Sequence, residues 1–103
     1  MSEPMKMRAT LKGDQAEIRV LMSHPMETGL RKDAGGAWIP LHFIQSFTVK
    51  HNGRTVIEAQ LSQAVSRNPV FAFRLNGARQ GDKIEIGWLD NGGESRRDET
   101  LIA

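Results

Sequence analysis

The chain has 103 residues, 39% of them apolar, and 14 Lys and Arg against 12 Asp and Glu leave a formal charge of +2. This length predicts one domain, spanning residues 1–103, with a single modest core. So small a charge gives no support to nucleic-acid binding or to docking on an anionic membrane. The absence of cysteine excludes a disulfide framework, a thiolate nucleophile and a cysteine-ligated metal site.

Neither a transmembrane nor an export segment is expected. No window approaches the 18 or so consecutive apolar residues that a transmembrane helix needs. Residues 1–8 lack the apolar stretch and the cleavage site of a secretory signal. From its own sequence, the chain is expected to stay in the cytoplasm unless another protein carries it out.

A first hairpin is predicted near the N-terminus, because apolar and polar residues alternate there with a period of two. The alternating runs cover residues 5–11 and 16–22, and Gly13-Asp14 separates them as a turn. The three methionines of these runs lie on the apolar faces and are expected to fill the core.

Residues 24–40, called the connector below, join this hairpin to the next predicted strand. At 17 residues the connector is longer than the roughly 4–6 residues of a typical connection. It contains both charge signs, turn formers at both ends and two apolar residues, Met26 and Trp38, that are expected to be exposed. A loop of this kind usually carries function, and an exposed Met26 would suit an adaptable protein contact.

Five more alternating segments follow the connector, and each is predicted to be a strand. They cover residues 43–50, 55–61, 71–75, 84–88 and 94–102. Asn52-Gly53 predicts a two-residue type I′ turn, and the charged last segment is typical of an edge strand. About seven antiparallel strands without a helix predict an all-β, immunoglobulin-like β-sandwich, with a small β-barrel as the alternative.

The residues that usually carry chemistry form no recognisable catalytic or metal pattern. His24, His42 and His51 are 18 and 9 residues apart, which matches no zinc-binding spacing. His24 and Glu27 would supply only two ligands, and His42 and His51 are expected to be packed, hydrogen-bonded or beside a turn. No nucleophile elbow or phosphate-binding glycine loop is present. An enzyme is therefore not expected, and no catalytic residue, cofactor or metal is assigned.

The basic clusters are short and lie beside acidic residues, as expected of a solvated surface. Most of the four Phe fall on core faces, so no basic stripe with interleaved aromatic residues is available for nucleic acid. Physical reasoning alone predicts a β-sandwich that binds another protein, without identifying the partner.

A set of motifs in the connector and the later strands is specific enough to indicate a family. The most specific are residues 24–29 and Arg31-Lys32-Asp33, followed by Ile39-Pro40 and Phe43-Ile44. Further motif positions are His51-Asn52-Gly53, Val56, Ser66, Asn68-Pro69, Phe73, Gly77, Gly81-Asp82, Trp88, Asp90-Asn91 and Gly93. They run over nearly the whole chain, and together they closely resemble the SoxZ family of sulfur-oxidation (Sox) subunits.

The resemblance implies an immunoglobulin-like sandwich and a non-catalytic role in a heterodimer with SoxY. The SoxY arm ends in a glycine-flanked cysteine, on which sulfur intermediates of thiosulfate oxidation are carried. Other Sox enzymes, among them a haem protein and a manganese-dependent hydrolase, act on that cysteine and are expected to contact the complex transiently. The implied location is the periplasm, reached by export with a signal-bearing SoxY.

Partner contact is expected in the connector, with Met26 as an apolar anchor, Glu27 and Arg31 as polar contacts, and Lys32 and Asp33 assisting. Three alternatives stay open for the surface: the motif serves loop geometry alone, it docks the other Sox enzymes, or the last strand makes the contact. For the function, the alternatives are a free-standing β-sandwich adaptor for another protein and a small hydrolase or metal-binding protein.

Overall fold

A computed structural model describes residues 3–103, so the first two residues of the predicted domain lie outside the description. The strands are β1 (Lys6–Lys12), β2 (Gln15–Leu21), β3 (Ile44–His51), β4 (Arg54–Gln60), β5 (Val70–Asn76), β6 (Lys83–Asp90) and β7 (Ser95–Leu101). Every predicted strand is present, and its ends differ from the prediction by no more than two residues. Within residues 3–103, no helix has the length and apolar character needed to cross a membrane.

The strands form two antiparallel sheets, which confirms the predicted β-sandwich. The order is β1-β2-β5 in one sheet and β4-β3-β6-β7 in the other. In antibody constant domains the fourth strand lies in the sheet of the first two; here β4 pairs with β3 instead. The charged strand β7 lies at the edge of its sheet, as its composition predicts.

The core lies between the sheets and is built by the period-two alternation of the strands. Ile18 on β2 pairs in register with Ala9 on β1 and Phe73 on β5, so the three side chains share the inner face. The buried core consists of Met5, Ala9, Ala16, Ile18, Val20, Met22, Met26, Ile44, Phe47, Val49, Leu75, Ala78, Ile84, Ile86, Trp88 and Ile102. Burying each of the larger aliphatic side chains contributes roughly 1.5–3 kcal/mol.

The turn between β3 and β4 has the predicted conformation. Asn52 (φ 51°) and Gly53 (φ 83°) both adopt the left-handed backbone that a type I′ turn requires. The Asn52 side chain accepts the Lys83 N–H at 2.8 Å, and His51 Nε2 lies 2.7 Å from Asp82 Oδ2. These contacts join the turn to the start of β6, at the end of that strand remote from Asp90.

Candidate functional site: the connector and its root

The connector is an ordered loop that leaves the sandwich and whose two halves pair in antiparallel fashion. Near its root, Glu27 and His42 exchange two backbone hydrogen bonds, with N···O distances of 2.6 and 3.0 Å. Farther out, the Ile39 N–H donates to the Arg31 carbonyl at 2.8 Å, and Lys32 forms an isolated bridge with Trp38. The two halves of the loop are therefore paired through their backbones.

Asp33 shapes the tip of the connector. One carboxylate oxygen, Oδ1, accepts the N–H groups of Gly35 and Ala37 at 2.9 and 3.0 Å. Gly36 has a φ of 83°, a backbone conformation that glycine adopts without a steric penalty. Carboxylate acceptance of this kind is how Asp stabilises tight turns, so the Asp33 side chain is committed to the loop itself.

Glu27 and Arg31 form an ion pair on the surface of the connector. Arg31 Nη2 lies 2.6 Å from Glu27 Oε1, and Arg31 Nε lies 3.2 Å from Oε2. This two-point geometry fixes both side chains in orientation. The hydrogen bond from Arg31 also holds the pKa of Glu27 below its usual range.

Apolar side chains are exposed beside these charges. Leu30 is 81% exposed and Trp38 63%, so the predicted exposure of Trp38 is confirmed. The Lys32 ammonium lies 4.6 Å from the centre of the Trp38 ring, which is within the range of a cation–π interaction. The connector thus combines exposed apolar groups with an oriented guanidinium.

Met26 is buried, and the prediction of an exposed anchor at this position is wrong. Its side chain is only 4% exposed, and its sulfur accepts the Ile44 N–H at 3.3 Å. The backbone of Met26 is left-handed, with φ 47°, an uncommon conformation for a residue other than glycine. This conformation belongs to a residue that packs into the core at the root of the connector.

His24 is held on every side at the start of the connector. Its backbone N–H donates to Asn68 Oδ1 at 3.0 Å, and its backbone carbonyl accepts the backbone N–H of Asn68 at 3.0 Å. The Met26 N–H donates to His24 Nδ1 at 3.1 Å, which places the ring proton on Nε2. That nitrogen lies 3.0 Å from Asp90 Oδ2.

Asp90 is the centre of what we call the root cluster, His24, His42 and Asp90. His42 Nε2 lies 2.8 Å from the same oxygen, Oδ2, while Oδ1 accepts the Gly92 and Glu94 N–H groups, both at 2.9 Å. Burial acts to raise the pKa of Asp90, but the hydrogen bonds from both imidazoles and both amides outweigh it and hold the pKa below its usual value. A buried carboxylate with four donors is a fully satisfied acceptor.

Sequence reasoning considered His24 and His42 but assigned neither to a site, and it missed Asp90 as their shared partner. Oδ1 of Asp90 stabilises the turn after β6, a local role, whereas Oδ2 acts on the two histidines. The histidines are 66 and 48 residues away along the chain, so no local pattern joins the three. The one available signal was that the histidines lie at the two ends of the long loop.

The root cluster has no nucleophile in place. Over the described part of the chain, no side-chain hydroxyl is hydrogen-bonded to His24 or His42, and there is no cysteine. Triad-type catalysis requires such a hydroxyl or thiol within hydrogen-bond reach of the imidazole. We therefore assign the root cluster the role of orienting the connector and the two imidazole rings, and we assign it no catalytic role.

Comparison with known proteins identifies the family of the chain. The family model described as "Sulphur oxidation protein SoxZ" matches residues 5–101, which is nearly the whole chain. The match includes the connector and all three residues of the root cluster. A search of curated proteins gave no significant match.

Proposed function

The chain belongs to the SoxZ family of sulphur oxidation proteins, and we propose that it binds a SoxY-type protein to form a sulfur carrier heterodimer. In this proposal the sulfur intermediates of thiosulfate oxidation are carried on a cysteine of the partner. The chain itself makes no covalent bond to sulfur and acts as the non-catalytic subunit. Other Sox enzymes contact the complex transiently when they act on the partner cysteine.

The observation that carries the proposal is the ordered connector. Protein interfaces are enriched in aromatic residues and Arg, and binding energy concentrates in a few of these. Trp38 is exposed, and Arg31 is already oriented by its ion pair with Glu27. Because the loop is internally paired, little conformational entropy is lost when a partner binds.

The five residues predicted for partner contact take different roles in this proposal. Glu27 and Arg31 supply polar contacts, and Lys32 and Asp33 assist, Lys32 beside the Trp38 ring and Asp33 by shaping the tip. Met26 acts indirectly, since its buried side chain fixes the root from which the others project.

The lack of cysteine supports a role beside a reactive sulfur carrier. A thiolate close to a persulfide or related intermediate would attack it by thiol–disulfide exchange chemistry. A partner subunit without thiols leaves the intermediate for the enzymes that process it. Periplasmic location, by export together with a signal-bearing SoxY-type partner, is part of the same proposal.

Co-expression of the chain with a SoxY-type protein tests the proposal. A tag on the SoxY-type protein is expected to retain this chain, and the two are expected to elute together in gel filtration at micromolar concentration. Separate elution at that concentration would contradict the proposed heterodimer. Retention of the chain by a tagged SoxY-type protein that lacks its carrier cysteine is also expected, since the contact does not involve the thiol.

A further inference from the structure

We propose that the root cluster of His24, His42 and Asp90 is a binding site for a divalent transition-metal ion, with Zn²⁺ as the ion its ligands suit best. Two imidazole nitrogens and one carboxylate oxygen lie within 4.8 Å of one another. Nitrogen and oxygen ligands of this kind are used by zinc sites with three protein ligands and a water molecule. The inference does not depend on the proposed partner.

The distances suit a small cation. His24 Nε2 and His42 Nε2 lie 3.0 and 2.8 Å from Asp90 Oδ2. Zinc bonds of about 2.0–2.2 Å in tetrahedral geometry place the ligand atoms about 3.3 Å from one another. Both distances to Asp90 Oδ2 are therefore within a few tenths of an ångström of the coordination spacing, and all three ligand atoms lie within 4.8 Å of one another.

The carboxylate ligand and the backbones of the two histidines are held by a second layer of hydrogen bonds. Asp90 Oδ1 accepts the Gly92 and Glu94 N–H groups, which aims Oδ2 at the histidines. The backbone of His24 is fixed by Asn68, and that of His42 by Glu27. The three ligands thus come from separate segments that are each anchored independently.

Coordination requires a proton shift in each imidazole, without net proton release or redox change. In the structure the Met26 N–H donates to His24 Nδ1, so the ring proton is on Nε2. Binding of the ion through Nε2 breaks that N–H bond, and a proton takes its place on Nδ1. The Met26 amide then loses its acceptor. Loss of this hydrogen bond weakens the affinity for the metal ion, and it also makes the Met26 amide a specific reporter of metal binding.

An approach path and a favourable field are both present. The His42 side chain is 39% exposed, and it lines a cleft of about 460 Å³ together with His24, Glu3 and Glu94. Among residues 3–103, no Lys or Arg lines this cleft. The two carboxylates of the lining favour a cation, and the cleft gives solvent access to both histidines.

Titration of the purified chain with Zn²⁺ alone, in competition with a chromophoric chelator, tests the site. We expect one ion per chain and a loss of about tenfold or more in affinity for His42→Ala. His51→Ala is the matched control, since His51 pairs with Asp82 at the other end of β6, and it should bind like the wild type. His42 is partly exposed, so its variant is expected to fold, whereas Asp90→Asn is a supporting variant only.

Two readouts decide the proposal. In the wild type, the amide resonance of Met26 should shift in proportion to bound Zn²⁺, and Co²⁺ should give the intense visible absorption of a four- or five-coordinate site. Neither signal should survive in His42→Ala. Equal Zn²⁺ affinity in the wild type and His42→Ala, or no stoichiometric binding at micromolar concentration, would overturn the proposed site.

Discussion

Strand β6 has a histidine-bound carboxylate at each end. Asp82 immediately precedes the strand and Asp90 is its last residue; eight residues at about 3.3 Å each separate the two ends by about 26 Å. Asp82 accepts one imidazole, that of His51. Asp90 accepts two, and these flank the connector.

The difference between the two carboxylates lies in burial and in what they join. The Asp82 side chain is partly exposed and connects two neighbouring turns. Asp90 is fully buried and cross-links the start of the connector, its end and the β6–β7 turn. The Asp82–His51 pair joins turns of the sandwich, whereas the contacts of Asp90 with His24 and His42 determine where the connector leaves the sandwich.

Among the stability variants that test this comparison, Asp90→Asn should have the largest effect on the free energy of unfolding. An amide replaces the acceptor by a group with an N–H donor, so at least one imidazole loses its partner in a buried site. The expected loss is about 3 kcal/mol in the free energy of unfolding, measured by urea denaturation. Asp82→Asn should lose less, because water can reach that site. A larger loss of stability for Asp82→Asn than for Asp90→Asn would contradict the claim that Asp90 is the more important of the two carboxylates for stability.

Met26→Ala tests the root of the connector against its tip. Removing a buried methionine side chain leaves a cavity, with an expected cost of about 2–3 kcal/mol. Leu30→Ala, on the exposed part of the same loop, is the matched control and should change stability by no more than about 0.5 kcal/mol. Equal denaturation midpoints for the two variants would contradict the burial of Met26.

Lowering the pH should reduce stability through Asp82, and this is expected to be the smallest of the three stability effects. The His51 hydrogen bond, followed by the Arg79 N–H, lowers the pKa of Asp82 from 3.8 to about 2. A depressed pKa in the folded state gives stability that is complete above the unfolded pKa and is lost as the pH falls through the folded one. The denaturation midpoint of the wild type should therefore decline below about pH 4.

The matched variant for this pH effect is Asp82→Asn, whose midpoint should fall less steeply over the same range. The remaining slope comes from other carboxylates with lowered pKa values, including Asp90 and Asp98. Identical slopes for the wild type and Asp82→Asn would show that the His51 contact does not stabilise the folded state.

The sheets were predictable because their signals are local. Alternation and the Asn52-Gly53 turn placed each strand within two residues of its observed ends, and the charges of the last segment correctly predicted an edge strand. These features depend on neighbours one to four residues apart. A single sequence contains them in full.

The root of the connector was not predictable, because it depends on distant contacts and on one unusual backbone angle. The position of Met26 in the long connector predicted a surface residue, yet its left-handed φ accompanies a side chain packed into the core. One carboxylate oxygen of Asp90 stabilises the β6–β7 turn, which is a local role. Its second oxygen acts on residues 66 and 48 positions away, which no local pattern records.

The affinity of the chain for a SoxY-type partner, measured by calorimetry with matched ion-pair variants, tests the central claim most directly. Glu27→Ala with Arg31→Ala removes the ion pair of the connector, and Lys12→Ala with Glu17→Ala removes a comparable surface pair on the other sheet. The account predicts binding weakened about tenfold or more by the first double variant and unchanged by the second, with the same circular dichroism for both. Equal affinity of the wild type and the connector variant would contradict the claim that the connector is the partner surface.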